Sequence, residues 1–383
     1  LALKLLAWAA ACWQPSADAL YMRRFAAPMT SQLWENPGAW VRTLAGDEFD
    51  YQHWFLLYHG YSNTFFMIKL LSVLNLASLS NGWWTGLYLS LFGFVACWML
   101  VRTLAQTFPQ APAGAALMGF LVWPTVVYWS GGVTKESLVL GSAAGLVAVL
   151  VRWLYGNKPL SGSSVVGFVL LAVLQFKMRY FFAALLFGAL GGLTVVRVVQ
   201  LLGGARRRWV VVVVFAAFMG AGVWAGSEVS LLFRLNRITS QLLRNYIKLG
   251  NDAGERPSIR FREFRPTPES AARNAPQAAW EALSRPWFWE GTPRYQVAGL
   301  ENLVLLAVVG VALVAVLRGR AGRLPFALVV AFGFYCLALA VLLGLSTPNL
   351  GTLSRYRAAW LPFVVWLALQ NEYAARALRR LGL

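Results

Sequence analysis

The chain of 383 residues is 58% hydrophobic and 13% charged, with a net charge of +19 and a mean hydropathy of +0.57. A soluble domain of this length has too little interior to hide so much apolar side chain, so a soluble globular protein is excluded. The basic excess gathers at the ends of apolar runs and forms no single polar patch, which argues against nucleic acid as a partner.

Apolar runs of about 18 residues or more read as membrane-crossing helices. Leu1–Trp13 is expected to be the end of a first spanning helix that starts before Leu1, a cleaved signal peptide being the weaker reading. A long segment, 14–83, follows. Asp18 comes five residues after the first apolar run, inside A-D-A-L-Y-M-R-R-F, a pattern that predicts a helix near 17–33. Next come the acidic knot G-D-E-F-D at 46–50, with Asp47, Glu48 and Asp50, and two histidines, His53 and His59, whose spacing reads as no metal site. In the apolar stretch 64–79, Lys69, Ser72, Asn75 and Ser78 recur at every third residue. One polar edge on a short apolar helix predicts an element lying in the membrane interface.

Further spans are predicted at 84–104, 114–130, 136–154, 164–176, 180–202, 209–232, 299–317, 324–346 and 354–370. The stretch 164–202 is about twice too long for one crossing at about 1.5 Å per residue, so a hairpin turning at Lys177–Arg179 is expected. Ten helices put both termini on one side. The short loops on that side (105–113, 155–163, 203–208, 318–323) and the C-terminal tail hold nine arginines and Lys158 but one carboxylate, Glu372. The positive-inside rule makes this face cytoplasmic and leaves the other fourteen carboxylates outside. The expected fold is an all-α polytopic membrane protein of about ten transmembrane helices, whose long first extracytoplasmic loop carries juxtamembrane helices. It has three parts: a transmembrane core, 1–232, with its outer loop 14–83; an extracytoplasmic loop domain, 233–298; and C-terminal transmembrane helices with a short cytoplasmic tail, 299–383. The three cysteines lie in apolar runs and imply no disulfide framework or metal site.

The outward turns carry basic residues against the positive-inside bias: Lys135 in 128–137, Lys177 and Arg179 in 176–180, Arg355 and Arg357 in 346–357. Each alone also reads as a snorkelling anchor. Converging from several helices, they would hold an anionic headgroup such as a phosphate or pyrophosphate. Thr134 is expected to cap the helix starting at Lys135. Glu301 beside Asn302 opens a span and reads first as a partner of the helix dipole. In 233–298, Arg234, Arg237, Arg244 and Lys248 lie along a helix expected to graze the lipid surface. A polar loop (251–268), a helix (268–284) and the Trp-rich R-P-W-F-W-E follow. Exposed tryptophans there suit either sugar stacking or interface anchoring.

The order of parts resembles the GT-C superfamily of membrane glycosyltransferases, in which a first transmembrane helix is followed by a long outer loop with an acidic residue and two juxtamembrane helices. It also resembles the polysaccharide-cluster membrane proteins of bacteria that carry W-S-G-x-x-x-K-E, R-P-x-x-W-E and T-P-N-x-G-T-x-x-R-Y patterns, matched here at 129–136, 285–290 and 347–356. The resemblance implies a glycosyltransferase at the extracytoplasmic face of a bacterial cytoplasmic membrane. Its donor would be a polyprenyl-phosphate-linked sugar, and a glycan or lipid would be the acceptor. Asp18 would deprotonate the acceptor hydroxyl, and Lys135, Lys177, Arg179, Arg355 and Arg357 would hold the lipid phosphate. Trp129, Arg285, Trp287 and Asn349 are the candidate contacts to sugar or acceptor. No second carboxylate adjoins Asp18, which keeps Asp47 and Glu48 open as the base; no metal ligands are assigned, and a divalent cation is the one open cofactor. Two other readings stand beside this one: a polysaccharide polymerase or O-antigen-ligase-like enzyme, and a non-catalytic membrane subunit or transporter.

Overall fold

Ser16 ends the first apolar run and starts the second helix. After α1 (Ala2–Trp13), its hydroxyl accepts from the Ala19 N–H and opens α2 (Ala17–Glu35). Asn36 then opens α3 (Pro37–Ala45) in the same way, through the Ala39 N–H. An antiparallel hairpin follows, β1 (Glu48–Tyr51) and β2 (Trp54–Leu57), with Glu48 opposite Leu57 and Tyr51 opposite Trp54. Ser62 caps α4 (Asn63–Ser78), which precedes α5 (Gly82–Thr107). The computed structural model describes residues 1–58, 62–156, 161–230 and 233–382. His59 and Lys158 lie outside them.

The rest of the described chain is helical: α6 (Ala113–Leu117), a π-helical turn (Met118–Val122), α7 (Pro124–Trp129), α8 (Lys135–Tyr155), α9 (Gly162–Met178), α10 (Tyr180–Leu201), α11 (Arg208–Val229), α12 (Leu235–Ala253), α13 (Pro268–Ser284), α14 (Pro293–Leu317), α15 (Phe326–Ser346), α16 (Leu350–Arg357), α17 (Leu361–Ala368) and α18 (Glu372–Arg380). Six of these helices, α5, α8, α10, α11, α14 and α15, are long and apolar enough to cross a membrane. The other expected spans take different forms. The run 114–130 breaks into α6, the π turn and α7, because Pro124 has no N–H to continue the ladder. The run 354–370 breaks between α16 and α17, where Pro362 occupies the first turn of α17. α1 and α9 are single helices of 12 and 17 residues.

Burial separates these helices. Of the apolar window of α8, 78% is buried inside the protein; of that of α11, only 11%. Val212, Val213 and Trp224 of α11, and Leu300, Val304 and Leu313 of α14, are exposed. Apolar faces this extensive are stable when lipid is the solvent, and water would penalise them heavily.

The chain divides into two compact units. The first comprises Leu1–Leu100, Val127–Val149 and Lys158–Ala184. Its segment between α1 and α5 is built on α2 and α4, with Met22, Met29, Phe65, Met67, Ile68 and Leu71 buried. The polar edge of α4 faces inward here. Ser72 accepts through its carbonyl from Thr30 Oγ1 (3.0 Å), Asn75 Nδ2 donates to Thr30 Oγ1 (3.1 Å), and Ser78 bonds Thr85 at 2.8 Å. Val73, Leu76 and Leu79 are the exposed side. The helix therefore turns Ser72, Asn75 and Ser78, along with Phe65, Met67, Ile68 and Leu71, toward protein and leaves an aliphatic edge outward, as suits a lipid surrounding.

The second unit comprises Val101–Val126, Leu150–Asn157 and Leu185–Leu383. Its core is aromatic. Phe332 stacks on Phe363 with ring centroids 5.1 Å apart, and Trp366 meets Phe332 edge-on at 5.6 Å. α13 lies so close to α15 that a Cβ at Gly344 would fall 2.2 Å from the Ala278 carbonyl oxygen, a contact only glycine allows.

Candidate functional site

The turn 129–136 is shaped by two glycines and three serines. Gly132 has φ +75°, and a Cβ there would stand 2.6 Å from the Ala11 Cβ of α1. Its N–H donates to Ser90 Oγ at 2.8 Å. Lys4, buried in α1, donates to both the carbonyl and the hydroxyl of Ser130 at 2.5 Å, and Ser137 Oγ donates to the same carbonyl. Thr134 Oγ1 accepts a long 3.4 Å bond from the Ser137 N–H at the start of α8. The W-S-G half of the motif thus fixes a backbone path, which sets Lys135 and Glu136 on the first turn of α8.

Lys135 is buried and donates to Asn63 Oδ1 (2.9 Å) and Thr64 Oγ1 (2.8 Å), on the first turn of α4. Glu136 pairs with Arg179, the residue separating α9 from α10, at 3.0 Å. Two residues back, Lys177 is exposed. Lys69 of α4 donates to the Gly46 carbonyl and lies 4.4 Å from the Phe65 ring centre. Burial holds the Lys69 ammonium below the ordinary lysine range; the Asp47 carboxylate opposes that shift and Lys177 adds to it. Lys69, Asp47 and Lys177 therefore share one electrostatic field. Lys69 in mid-α4, Lys135 on the first turn of α8, and Lys177 and Arg179 at the end of α9 outnumber the carboxylates they interact with, Asp47 and Glu136. The excess is positive and suits an anion.

The three candidate bases are all exposed residues of this first unit. Asp47 belongs to the cationic cluster through Lys69. Glu48 begins β1, opposite Leu57. Asp18 sits in the first turn of α2, where a carboxylate complements the helix dipole. Trp129 is part-buried, its ring edge-on to Tyr128 at 5.0 Å. Sequence reasoning passed over Lys69 by assigning it to the polar edge of an interfacial helix; the signal was a lone cation in an apolar helix.

Arg355, Arg357, Arg285, Trp287 and Asn349 belong to the second unit. Arg357 was expected in an outward turn. It is instead 2% exposed, and its guanidinium donates to Arg285 O (2.9 Å), Asn302 Oδ1 (2.8 Å) and Leu283 O. Arg357 is a buried tie, with no face turned to solvent. Arg355, two residues earlier, is part-buried. Arg285 joins Glu290 (2.5 Å), Glu281 (3.2 Å) and the Ser258 carbonyl (3.0 Å). The Glu290 carboxylate also accepts from the Trp287 N–H, so R-P-x-x-W-E closes on itself. The Trp287 and Trp289 rings lie parallel at 5.3 Å, with Trp289 exposed. Asn349 caps α16 through the Gly351 and Thr352 N–H groups, which accounts for the N-x-G-T spacing. Glu301, about two turns into α14 and so outside its first turn, accepts from the N–H and hydroxyl of Thr125 after the break at Pro124. Among the described residues, no three His, Cys, Asp or Glu side chains group as metal ligands do.

Fold and site together define a nearly all-helical protein with six helices long and apolar enough to cross a membrane and with Lys69, Lys135, Lys177 and Arg179 in its first unit. Comparison with protein-family models, with curated proteins and with solved structures finds no match.

Proposed function

We propose that the protein is a membrane glycosyltransferase of the GT-C kind, taking a sugar from a polyprenyl phosphate at the extracytoplasmic face of a bacterial cytoplasmic membrane. The observation that carries this reading is the cluster of Lys69, Lys135, Lys177 and Arg179 with Asp47 in the same field. A lipid phosphate has the charge and size such a cluster takes, and exposed apolar helices nearby in sequence suit a lipid-borne donor. In this reading the six long helices are joined by α1, α6–α7, α9 and α16–α17 as shorter or broken crossings, ten in all, with the Arg-rich loops cytoplasmic.

The chemistry is one displacement. The acceptor hydroxyl gives its proton to the Asp47 carboxylate as its oxygen bonds to the anomeric carbon of the donor. The bond from that carbon to the phosphate oxygen breaks, and the electron pair leaves on the phosphate. Lys177 and Arg179 meet the charge that builds there, and Lys69 and Lys135 fix the phosphate's position. Asp47 is preferred to Asp18 as the base because it lies among these cations. The test is transfer by the purified full chain in nanodiscs. Asp47→Asn is expected to abolish turnover while the melting temperature holds; full activity in both Asp47→Asn and Asp18→Asn would refute the assignment of a first-loop base.

A further inference from the structure

α12 carries its cations on one face. At 3.6 residues per turn, Arg234, at its N-terminal edge, and Arg237, Arg244 and Lys248 fall within about 80° of the helix circumference and extend over about 21 Å. All four are exposed. The opposite face is occupied: Leu242 packs with Ala278 of α13 and Leu345 of α15, and Ile238, Phe261 and Phe264 close round them. Tyr246, Phe261 and Phe264 form a ring cluster with centroids 5.5 to 5.6 Å apart. A helix that lies in a bilayer surface inserts its apolar face. Here the middle of that face, at Ile238 and Leu242, is packed against protein, Leu235 and Ile247 stay exposed, and the cations form an outward stripe beside them.

The stripe borders an open groove of about 750 Å³. Arg234, Arg237 and Arg244 line it together with Ser240, Asn236 and one carboxylate, Glu228. Three guanidinium groups against one carboxylate favour an anion. Neutral hydroxyl and amide groups set between the cations suit a ligand that also carries many hydroxyls. The length of the stripe exceeds what a single phosphate headgroup can engage. The segment 233–298 as a whole holds eleven Lys or Arg against six Asp or Glu.

We infer that the α12 face binds an anionic glycan chain, one bearing carboxylate sugars, laid along the helix. As the acceptor-binding surface this deepens the transferase reading and rests on it; the binding itself does not. The test uses the purified full chain in phosphatidylcholine nanodiscs, with an oligogalacturonate as probe and a neutral maltooligosaccharide of equal length as control. Wild type is expected to bind the oligogalacturonate and not the neutral chain, more weakly as salt rises. The triple variant Arg234→Gln, Arg237→Gln, Arg244→Gln is expected to bind about tenfold more weakly, about 1.4 kcal/mol, with an unchanged melting temperature. Asp47→Asn is expected to bind as wild type does, so a failed transferase reading would leave the binding result standing. Equal binding by wild type and the triple variant, or no preference for the charged chain, overturns the inference. So does a phosphatidylglycerol carrying a photoreactive headgroup that labels 234–248 and is not displaced by oligogalacturonate; that outcome would give the face to the membrane.

Discussion

Glu136 and Arg179 are joined at 3.0 Å with 3% and 12% of their side chains exposed, and the pair ties the first turn of α8 to the junction of α9 and α10. Removing one member of a largely buried pair leaves the other charge poorly compensated. Glu136→Gln is expected to lower stability by about 3 kcal/mol, measured by thermal unfolding in detergent. Arg179→Lys keeps a charge but not the planar fork, and should lose less stability than Glu136→Gln while still weakening donor binding.

Lys69 gives the cluster a pH signature. Its folded pKa lies below the ordinary value of 10.5 because burial disfavours the ammonium, with Asp47 opposing and Lys177 adding. Between the folded value and 10.5 the unfolded chain holds the proton that the native chain has released, so stability rises with pH there and that gain is lost as pH falls through the folded value. Lys69→Met should remove this upward slope in melting temperature on the alkaline side. Parallel slopes for wild type and variant would place Lys69 in ordinary solvent.

Arg357 is predicted to matter for folding and not for the donor. Arg357→Met would strand the acceptors at Leu283, Arg285 and Asn302, at a cost of about 3 kcal/mol. The fraction that folds should show the wild-type KM for donor. A raised KM with unchanged stability would restore Arg357 to the phosphate site.

Gly132→Ala is predicted to disturb the 129–136 turn. The φ of +75° and the 2.6 Å approach to Ala11 both disfavour a side chain. A loss of about 2 kcal/mol is expected, with a larger fall in activity than Gly162→Ala, where nothing lies within 4 Å.

Two helices of the segment 14–83 are legible in its residue pattern: α2 begins at Ala17 and α4 at Asn63, within a residue of the expected limits, whereas α3 and the β1–β2 hairpin carry no such pattern and were not expected. The breaks at Pro124 and Pro362 were also written in the chain, but run-counting by hydropathy outweighed the prolines. The direction of the α4 polar edge was not legible, since polar-outward and polar-inward helices share one periodicity, and the solvent on the apolar side decides between them. Arg355 and Arg357 illustrate the same limit. They lie two positions apart on an eight-residue helix, about 200° round its axis, and nothing local marks Arg357 as the one whose acceptors wait on α13 and α14. Of the second-unit motif residues, Arg357 meets the Arg285 carbonyl, while the side chains of Asn349 and Arg285 serve a cap and ion pairs within their own turns.

The most direct test of the central claim is steady-state transfer from a synthetic polyprenyl-phosphate hexose by the full chain in nanodiscs, comparing wild type with Lys177→Ala. Lys177 is exposed, so its truncation should leave the fold intact. The account predicts turnover by wild type and, in the variant, a donor KM raised about tenfold, equivalent to one lost charge-assisted contact of about 1.4 kcal/mol. Wild type that transfers no sugar from any such lipid, or a variant with unchanged KM and kcat, would contradict it.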